Sequence, residues 1–206
     1  MTHYSEEAFN RKAKRYEHRW EAYLNHTHEI FLKHIEIEEG ETLLDVSSGT
    51  GLLALELTEL DAPFEKLVLN DPSKTMLEFA QKRLADHPKI TFSNQTAEKL
   101  EFDDRHFDRI FCLNAFHFYS NQKHALEHFH SLLKPGGRVY ILDWNRSGFF
   151  RFVNKVITWW TTENINTRSF VEMQDQLNEC GFQMINVLEW SWRYWNFFFI
   201  EAKLKT

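Results

Sequence analysis

The segment LLDVSSGTGLLAL, residues 43–55, constrains the fold more than any other part of the chain. A short apolar run ends in Asp45 and passes through a turn of Ser and Gly. It resumes as an apolar stretch of helical length, from about Leu52 to Leu60. Gly49 and Gly51 let the backbone turn sharply and approach a ligand with no Cβ in the way. Gly49-x-Gly51-x-x-Ala54 also satisfies a nucleotide-binding spacing. Asp71 ends the next apolar run, at the ~20-residue interval where a carboxylate grips a ribose diol. These residues therefore encode a nucleoside-binding strand, turn and helix; the plain alternative is a glycine turn beside a helix-capping acid.

Strands and helices alternate through the rest of the chain. Residues 5–35 place Phe9, Tyr16, Trp20, Tyr23, Leu24 and Phe31 at near-helical spacing among charges. KLVLN (66–70), KITFS (89–93), DRIFCLN (108–114) and GRVYILD (137–143) read as further strands. Pro72 opens a helix through Leu84, the position its fixed φ favours. QKHALEHFHSLL (122–133) is a helix ended by Lys134-Pro135-Gly136-Gly137. Ser169 and Glu172 form the capping box of a later helix that ends at Gly181. Two closing strands, about 182–190 and 195–203, are joined too tightly to be parallel and form a hairpin. The expected fold is α/β: a Rossmann-like, doubly wound, mostly parallel sheet with one antiparallel strand from the edge hairpin. Ligands of such sheets bind at the carboxyl ends of the strands, where the strand order reverses.

Composition removes several classes of function. The 206 residues suit one domain, and 43% hydrophobic with 26% charged residues is ordinary for a water-soluble protein. A net charge of −6 argues against nucleic acid as a partner. Cys112 and Cys180 stand alone, which excludes a disulfide framework or a Cys-rich zinc site and fits a reducing compartment. The N-terminus MTHYSEEAFNRK has no apolar h-region, and no run of about 18 apolar residues occurs, so a cytoplasmic protein without an integral membrane segment is expected. The basic run 11–19 is flanked by Glu6, Glu7 and Glu21 and reads as a solvated helix face. His124, His128 and His130 share a helix, but no Glu is adjacent to the first of them as in H-E-x-x-H, and His26 and His28 read the same way, so no metal is expected. Aromatic residues make up 16% of the chain, many of them after residue 144. They build either a heavy core or an apolar pocket. Residues 148–160 form an amphipathic stretch that suits core packing, a lid over an apolar acceptor, or a membrane-surface contact.

LLDVSSGTG (43–51), VLNDPSKTML (68–77), QTAEKLEFDDRHFDRIFCLNAFHF (95–118) and LLKPGGRVYILDW (132–144) together resemble the class I S-adenosylmethionine-dependent methyltransferases. The similarity is to the small-molecule branch that includes the ubiquinone/menaquinone-biosynthesis C-methyltransferases, and it covers roughly residues 40–145. It implies a seven-stranded sheet in the order 3-2-1-4-5-7-6 within a single domain. Residues 1–38 would be a helical cap, 40–145 the cofactor core, 146–170 an acceptor-side lid, and 171–206 a helix and closing hairpin. The resemblance further implies that Asp45 and the loop with Ser47, Gly49 and Gly51 hold the methionine part of S-adenosylmethionine. Asp71, followed by Pro72, would take the ribose, and Met76 would pack near the adenine. Thr96, Ala97 and Glu98 would lie by the adenine amine, Asn114 would face the cofactor, and Tyr16 would close over the methionine end.

Two departures stand out: Ser47 occupies a position where the family usually has Gly, and Thr96 one where it often has Asp. Methyl transfer from a sulfonium needs positioning and a water-poor site more than a metal or a covalent nucleophile. A base is required only if the acceptor must lose a proton. His117, Tyr119 and Asp143 follow or end strands four and five and are the candidates for that work. The expected reaction converts S-adenosylmethionine to S-adenosylhomocysteine while methylating a small hydrophobic or aromatic acceptor, with the protein a monomer or homodimer. Two other readings of the same residues are a cofactor-binding protein without turnover and an NAD-type oxidoreductase.

Overall fold

The computed structural model describes residues 6–84, 86–148, 150 and 165–205. A long helix, α1 (Glu6–His34), precedes the sheet. The core alternates β1 (Thr42–Asp45), α2 (Leu52–Glu59), β2 (Lys66–Asn70), α3 (Lys74–Leu84) and β3 (Ile90–Ser93). It continues with β4 (Phe107–Leu113), a 3-10 turn (Phe116–Phe118), α4 (Gln122–Leu132) and β5 (Leu133–Trp144). The helix α5 (Phe170–Glu179) leads into the hairpin β6 (Phe182–Trp192) and β7 (Trp195–Leu204).

The seven strands lie in the order β3-β2-β1-β4-β5-β7-β6, as the resemblance implied. Pairings among β1 to β5 are parallel. β7 runs antiparallel to both neighbours, with β5 on one side and β6 on the other. The order reverses between β1 and β4, so the carboxyl ends of β1, β2, β4 and β5 form one crevice rim.

Alternating side chains divide the core into two layers. Leu44, Ile110, Cys112, Val139, Ile141, Phe198 and Ile200 face α4 and α5, meeting Phe129, Met173 and Leu177. Leu43, Phe111, Leu113, Tyr140, Leu142, Phe197 and Phe199 face the other way, toward α1, α2 and α3. Both sheet faces are covered, which is why the strands read as continuous apolar runs instead of alternating ones. Phe31 of α1 is fully buried and meets Phe111, Tyr140 and Phe199 edge-on at 5.4, 6.3 and 5.9 Å between ring centroids. Such edge-to-face pairs add to the area that each ring buries.

Two boundaries differ from those expected. α3 starts at Lys74 and not at Pro72, because Ser73 caps it: its Oγ accepts the Met76 amide at 3.4 Å. β5 begins at Leu133 and takes in the Lys134–Gly137 segment, with a register slip against β4 between Phe107 and Arg109. Gly137 is needed there for close approach, since a Cβ would lie 2.9 Å from the Lys134 carbonyl oxygen and 3.1 Å from that of Asp108. The capping box at Ser169 and Glu172 is present, as read from the sequence. The amphipathic stretch 148–160 lies almost wholly outside the described residues.

Candidate functional site

β1 delivers Asp45 to the crevice floor, and the chain then turns through Ser47, Gly49 and Gly51 into α2. Gly49 and Gly51 have φ values of +56° and +77°, the left-handed region that glycine adopts without strain. Their surroundings differ. A Cβ on Gly51 would meet the Ala80 Cβ and the Leu84 Cδ1, each at 3.1 Å, so this glycine lets α3 pack against the turn. A Cβ on Gly49 would meet nothing within 4 Å, so this part of the turn borders open space. The Ser48 Oγ is buried and has no hydrogen-bond partner.

Two carboxylates organise the turn. Asp45 is only 4% exposed and accepts the Ser47 amide at 3.3 Å. Burial pushes its carboxyl up to about 7; the Ser47 amide opposes the shift and the charge of Asp71 adds to it. Asp71 accepts the Ser73 amide on one oxygen at 2.8 Å and the Gly49 amide on the other at 2.9 Å. Burial raises its pKa too, against the pull of those two amides. Each Asp71 oxygen still has a lone pair for a ligand hydroxyl.

Asn70 was not anticipated. It is fully buried, donates to the Val46 and Gln95 carbonyls at 2.8 and 2.9 Å, and accepts the Gln95 amide at 3.0 Å. It thus ties the end of β1 to the loop that carries Thr96, Ala97 and Glu98. Ala97 is buried and Thr96 exposed on that loop. The Glu98 carboxylate accepts the Ser120 amide and hydroxyl and the Asn121 amide, at 2.9, 3.0 and 3.3 Å. Burial works to raise its pKa, but these donors and its own amide hold it below the usual carboxylate range. Met76, on the first turn of α3, is half-buried, and Pro72 is exposed. Tyr16 lies on α1, but its side chain is outside the described residues.

Beyond β4, Asn114 adopts a left-handed φ of +54°, which Asn tolerates better than most residues. The Tyr23 hydroxyl donates to its Oδ1 at 2.8 Å, and its Nδ2 donates to Thr27 at 2.9 Å. The Trp144 indole donates to the Tyr23 hydroxyl at 2.7 Å. These bonds fasten α1 across the ends of β4 and β5. Tyr119 is buried, with its hydroxyl 2.9 Å from the Ser47 Oγ and 3.2 Å from the Cys112 Sγ. Burial raises the pKa values of Tyr119 and Cys112 and keeps both groups neutral. Tyr119 therefore sits beneath the glycine turn and props Ser47 from below.

His117 and Asp143 are 2% and 1% exposed and form one unit. The His117 ring Nδ1 lies 2.5 Å from one Asp143 oxygen, and the His117 amide donates to the other at 2.8 Å. The ring stacks on Trp144, 4.1 Å between centroids and 11° from parallel. Among the described residues no group of three His, Cys, Asp or Glu side chains could hold a metal ion. Likewise, no described helix is long and apolar enough to cross a membrane.

Known proteins bear on this arrangement at two levels. A methyltransferase-domain family matches residues 43–137. The ubiquinone/menaquinone biosynthesis C-methyltransferase UbiE of Pseudomonas entomophila is 33% identical over 113 residues. That match spans 53% of this chain and 44% of the relative, so this chain accounts for less than half of that protein's length. Among solved structures, a methyltransferase chain in complex with the Trm112 activator from Haloferax volcanii superposes with a TM-score of 0.83 at 18% identity, covering 94% of this chain and 96% of that one. A SAM-dependent methyltransferase from Aquifex aeolicus gives 0.67 at 22% identity, covering 85% and 88%. The [4+2]-cyclase SpnF gives 0.74 at 16%, covering 86% and 80%. The fold is that of the class I S-adenosylmethionine-dependent methyltransferases. Over about half of its length the chain is similar in sequence to the ubiquinone/menaquinone C-methyltransferases.

Proposed function

We propose that the protein transfers a methyl group from S-adenosylmethionine to a small hydrophobic or aromatic acceptor. The observation that carries this is the clasp between the first turn and Asp71. Gly49 opens on to unfilled space, donates its amide to Asp71, and leaves that carboxylate with lone pairs at the place where a ribose would sit. The donor set suits an adenosyl amino acid. Asp71 would accept the ribose hydroxyls, Met76 and Ala97 would flank the base, and Thr96 and Glu98 would stand near its amine. Asp45, Ser47 and Asn114 would hold the methionine end, with Tyr16 closing over it. When bound, S-adenosylmethionine supplies a methyl on a sulfonium that needs no further activation.

The chain's own contribution is then orientation and the exclusion of water. Asn70 holds the adenine-side loop in register with the methionine-side turn. Tyr23, Asn114 and Trp144 lock α1 over the strand ends. The aromatic wall of Tyr23, Trp144, Trp195 and Phe197 keeps the acceptor side apolar. A second reading, a protein that holds the cofactor without turning it over, draws on Ser47 at a usual glycine position. The SpnF likeness adds that this fold serves more than one chemistry.

Calorimetry with S-adenosylhomocysteine tests the first reading. Binding heat is expected with the intact chain and none with NAD. Asp71→Ala should weaken binding by about 1.5–3 kcal/mol, roughly 10- to 150-fold in Kd, because hydrogen bonds to a charged acceptor are lost. No heat from a demonstrably folded chain overturns the reading. Heat without methyl loss, across a panel of apolar phenols and polar amines, favours the second.

A further inference from the structure

We propose that the acceptor is an aromatic acid, its ring seated among Trp20, Tyr23 and Trp195 and its carboxylate held by Arg19 and Arg193. The proposal rests on the methyltransferase reading above and specifies its substrate class.

A cavity of about 80 Å³ lies between α1 and the turn of the β6–β7 hairpin. Trp20 and Tyr23 line it from the helix, and Trp192, Tyr194 and Trp195 from the hairpin. Its volume is roughly half the ~150 Å³ that encloses a benzene ring in a protein core, so one ring fits with an edge toward solvent. Trp20 meets Tyr23, and Tyr23 meets Trp195, edge-on at 5.7 and 5.8 Å between centroids. Walls of this kind suit a flat ring, which can pair with them face to edge.

The rim is cationic. Arg19 and Arg193 also line the cavity, and both are exposed. The Arg193 guanidinium lies over the Trp192 ring at 4.3 Å, and the Arg19 guanidinium over Trp20 at 5.5 Å. Among the described residues neither pairs with a carboxylate. A guanidinium laid on a ring keeps its edge N–H groups free, and that planar fork matches a carboxylate. The chain as a whole carries a net charge of −6, so an anion is drawn here by these two side chains and not by the overall field. Trp195 gives a second, independent signal. It is 6% exposed, and its Nε1 is buried with no hydrogen-bond partner. A buried donor left unpaired is costly, and a bound acid brings an acceptor oxygen to it.

The cavity adjoins the seat of the methyl donor. Tyr23 lines it with its ring, while its hydroxyl donates to Asn114, which holds the methionine end in the reading above. Trp195 stands 6.0 Å from Trp144, the last residue of β5.

The test titrates benzoate, with benzamide as its uncharged counterpart, into the full chain loaded with S-adenosylhomocysteine. Nitrogen-15 spectra of the unsubstituted chain, which need no variant to fold, should show the Trp195 indole N–H shifting as benzoate binds. Benzoate should bind at least about fivefold more tightly than benzamide. Arg19→Gln and Arg193→Gln, both at exposed positions, should each weaken benzoate binding about three- to tenfold and leave S-adenosylhomocysteine binding unchanged. No benzoate binding, an unmoved Trp195 indole, equal affinity for benzamide, full affinity in both variants, or displacement of benzoate by S-adenosylhomocysteine overturns the proposal. A chain that ignores benzoate but sediments with phosphatidylglycerol vesicles overturns it in favour of a membrane-surface contact. Failure of S-adenosylhomocysteine to bind would count against the methyltransferase reading, and the benzoate titration of the unloaded chain would still decide this site.

Discussion

Asp45 links proton binding to folding, and Asp45→Asn isolates that link. Its carboxyl moves from 3.8 to about 7 on folding because burial disfavours the charge. At 1.36 kcal/mol per tenfold change in proton affinity, that corresponds to about 4 kcal/mol between its two protonation states. The folded state holds the proton more tightly than the unfolded chain does. The stabilisation is therefore complete below pH 4 and drains away as the pH rises, levelling off near 7. Asparagine imitates the protonated side chain and can still accept the Ser47 amide. Urea denaturation of both proteins across pH 4.5 to 8.5 should bring the two stabilities closest at the acid end, within about 1 kcal/mol of each other. At the alkaline end Asp45→Asn should be the more stable by up to about 4 kcal/mol. The same variant should bind S-adenosylhomocysteine more weakly, because a side chain proposed to hold the ligand's methionine end has lost its charge. A wild-type curve that runs parallel to the Asn curve over the whole range would refute the linkage.

Other substitutions separate the roles of neighbouring residues. Gly51→Ala should cost about 2–4 kcal/mol in urea denaturation, from left-handed strain plus the squeeze against Ala80 and Leu84. Gly49→Ala should cost only about 1–2 kcal/mol, the strain alone, yet weaken S-adenosylhomocysteine binding more, since its new methyl points into the open space beside the turn. Equal stability losses for the two would contradict the packing described. Tyr119→Phe should cost about 1–2 kcal/mol, measured the same way, because it removes the partner of both Ser47 and Cys112.

Much of this architecture was legible because it rests on local signals. The left-handed turn at Gly49 and Gly51, the acid after β2 and the capping box at Ser169 each depend on residues close in sequence. The start of α3 was misjudged by two positions because Pro72 and Ser73 compete for the same boundary, and the Ser73 hydroxyl prevails as the cap. What sequence could not give were contacts that only tertiary packing creates. Asn70 reads as one more polar residue at a strand end until Gln95 and Val46 are seen to converge on it. Tyr23 reads as part of an apolar helix face, yet its hydroxyl joins Asn114 to Trp144 across the neighbouring ends of β4 and β5. His117 and Asp143 were each visible as strand-end residues. Their union depends on β4 and β5 lying side by side in a register that pairs Leu113 with Leu142.

The antiparallel placement of β7 sets the order of assembly. β5 carries the pair to His117, and its outer flank is closed by residues 197–203 of β7. Until that segment has left the ribosome, β5 is a bare strand edge lined with Val139, Ile141 and Leu142. Such an edge is sticky toward other nascent chains. Removing a few residues from the end of β7 would therefore harm yield and solubility far more than deletions of similar size elsewhere on the periphery, although every group near the crevice would still be encoded.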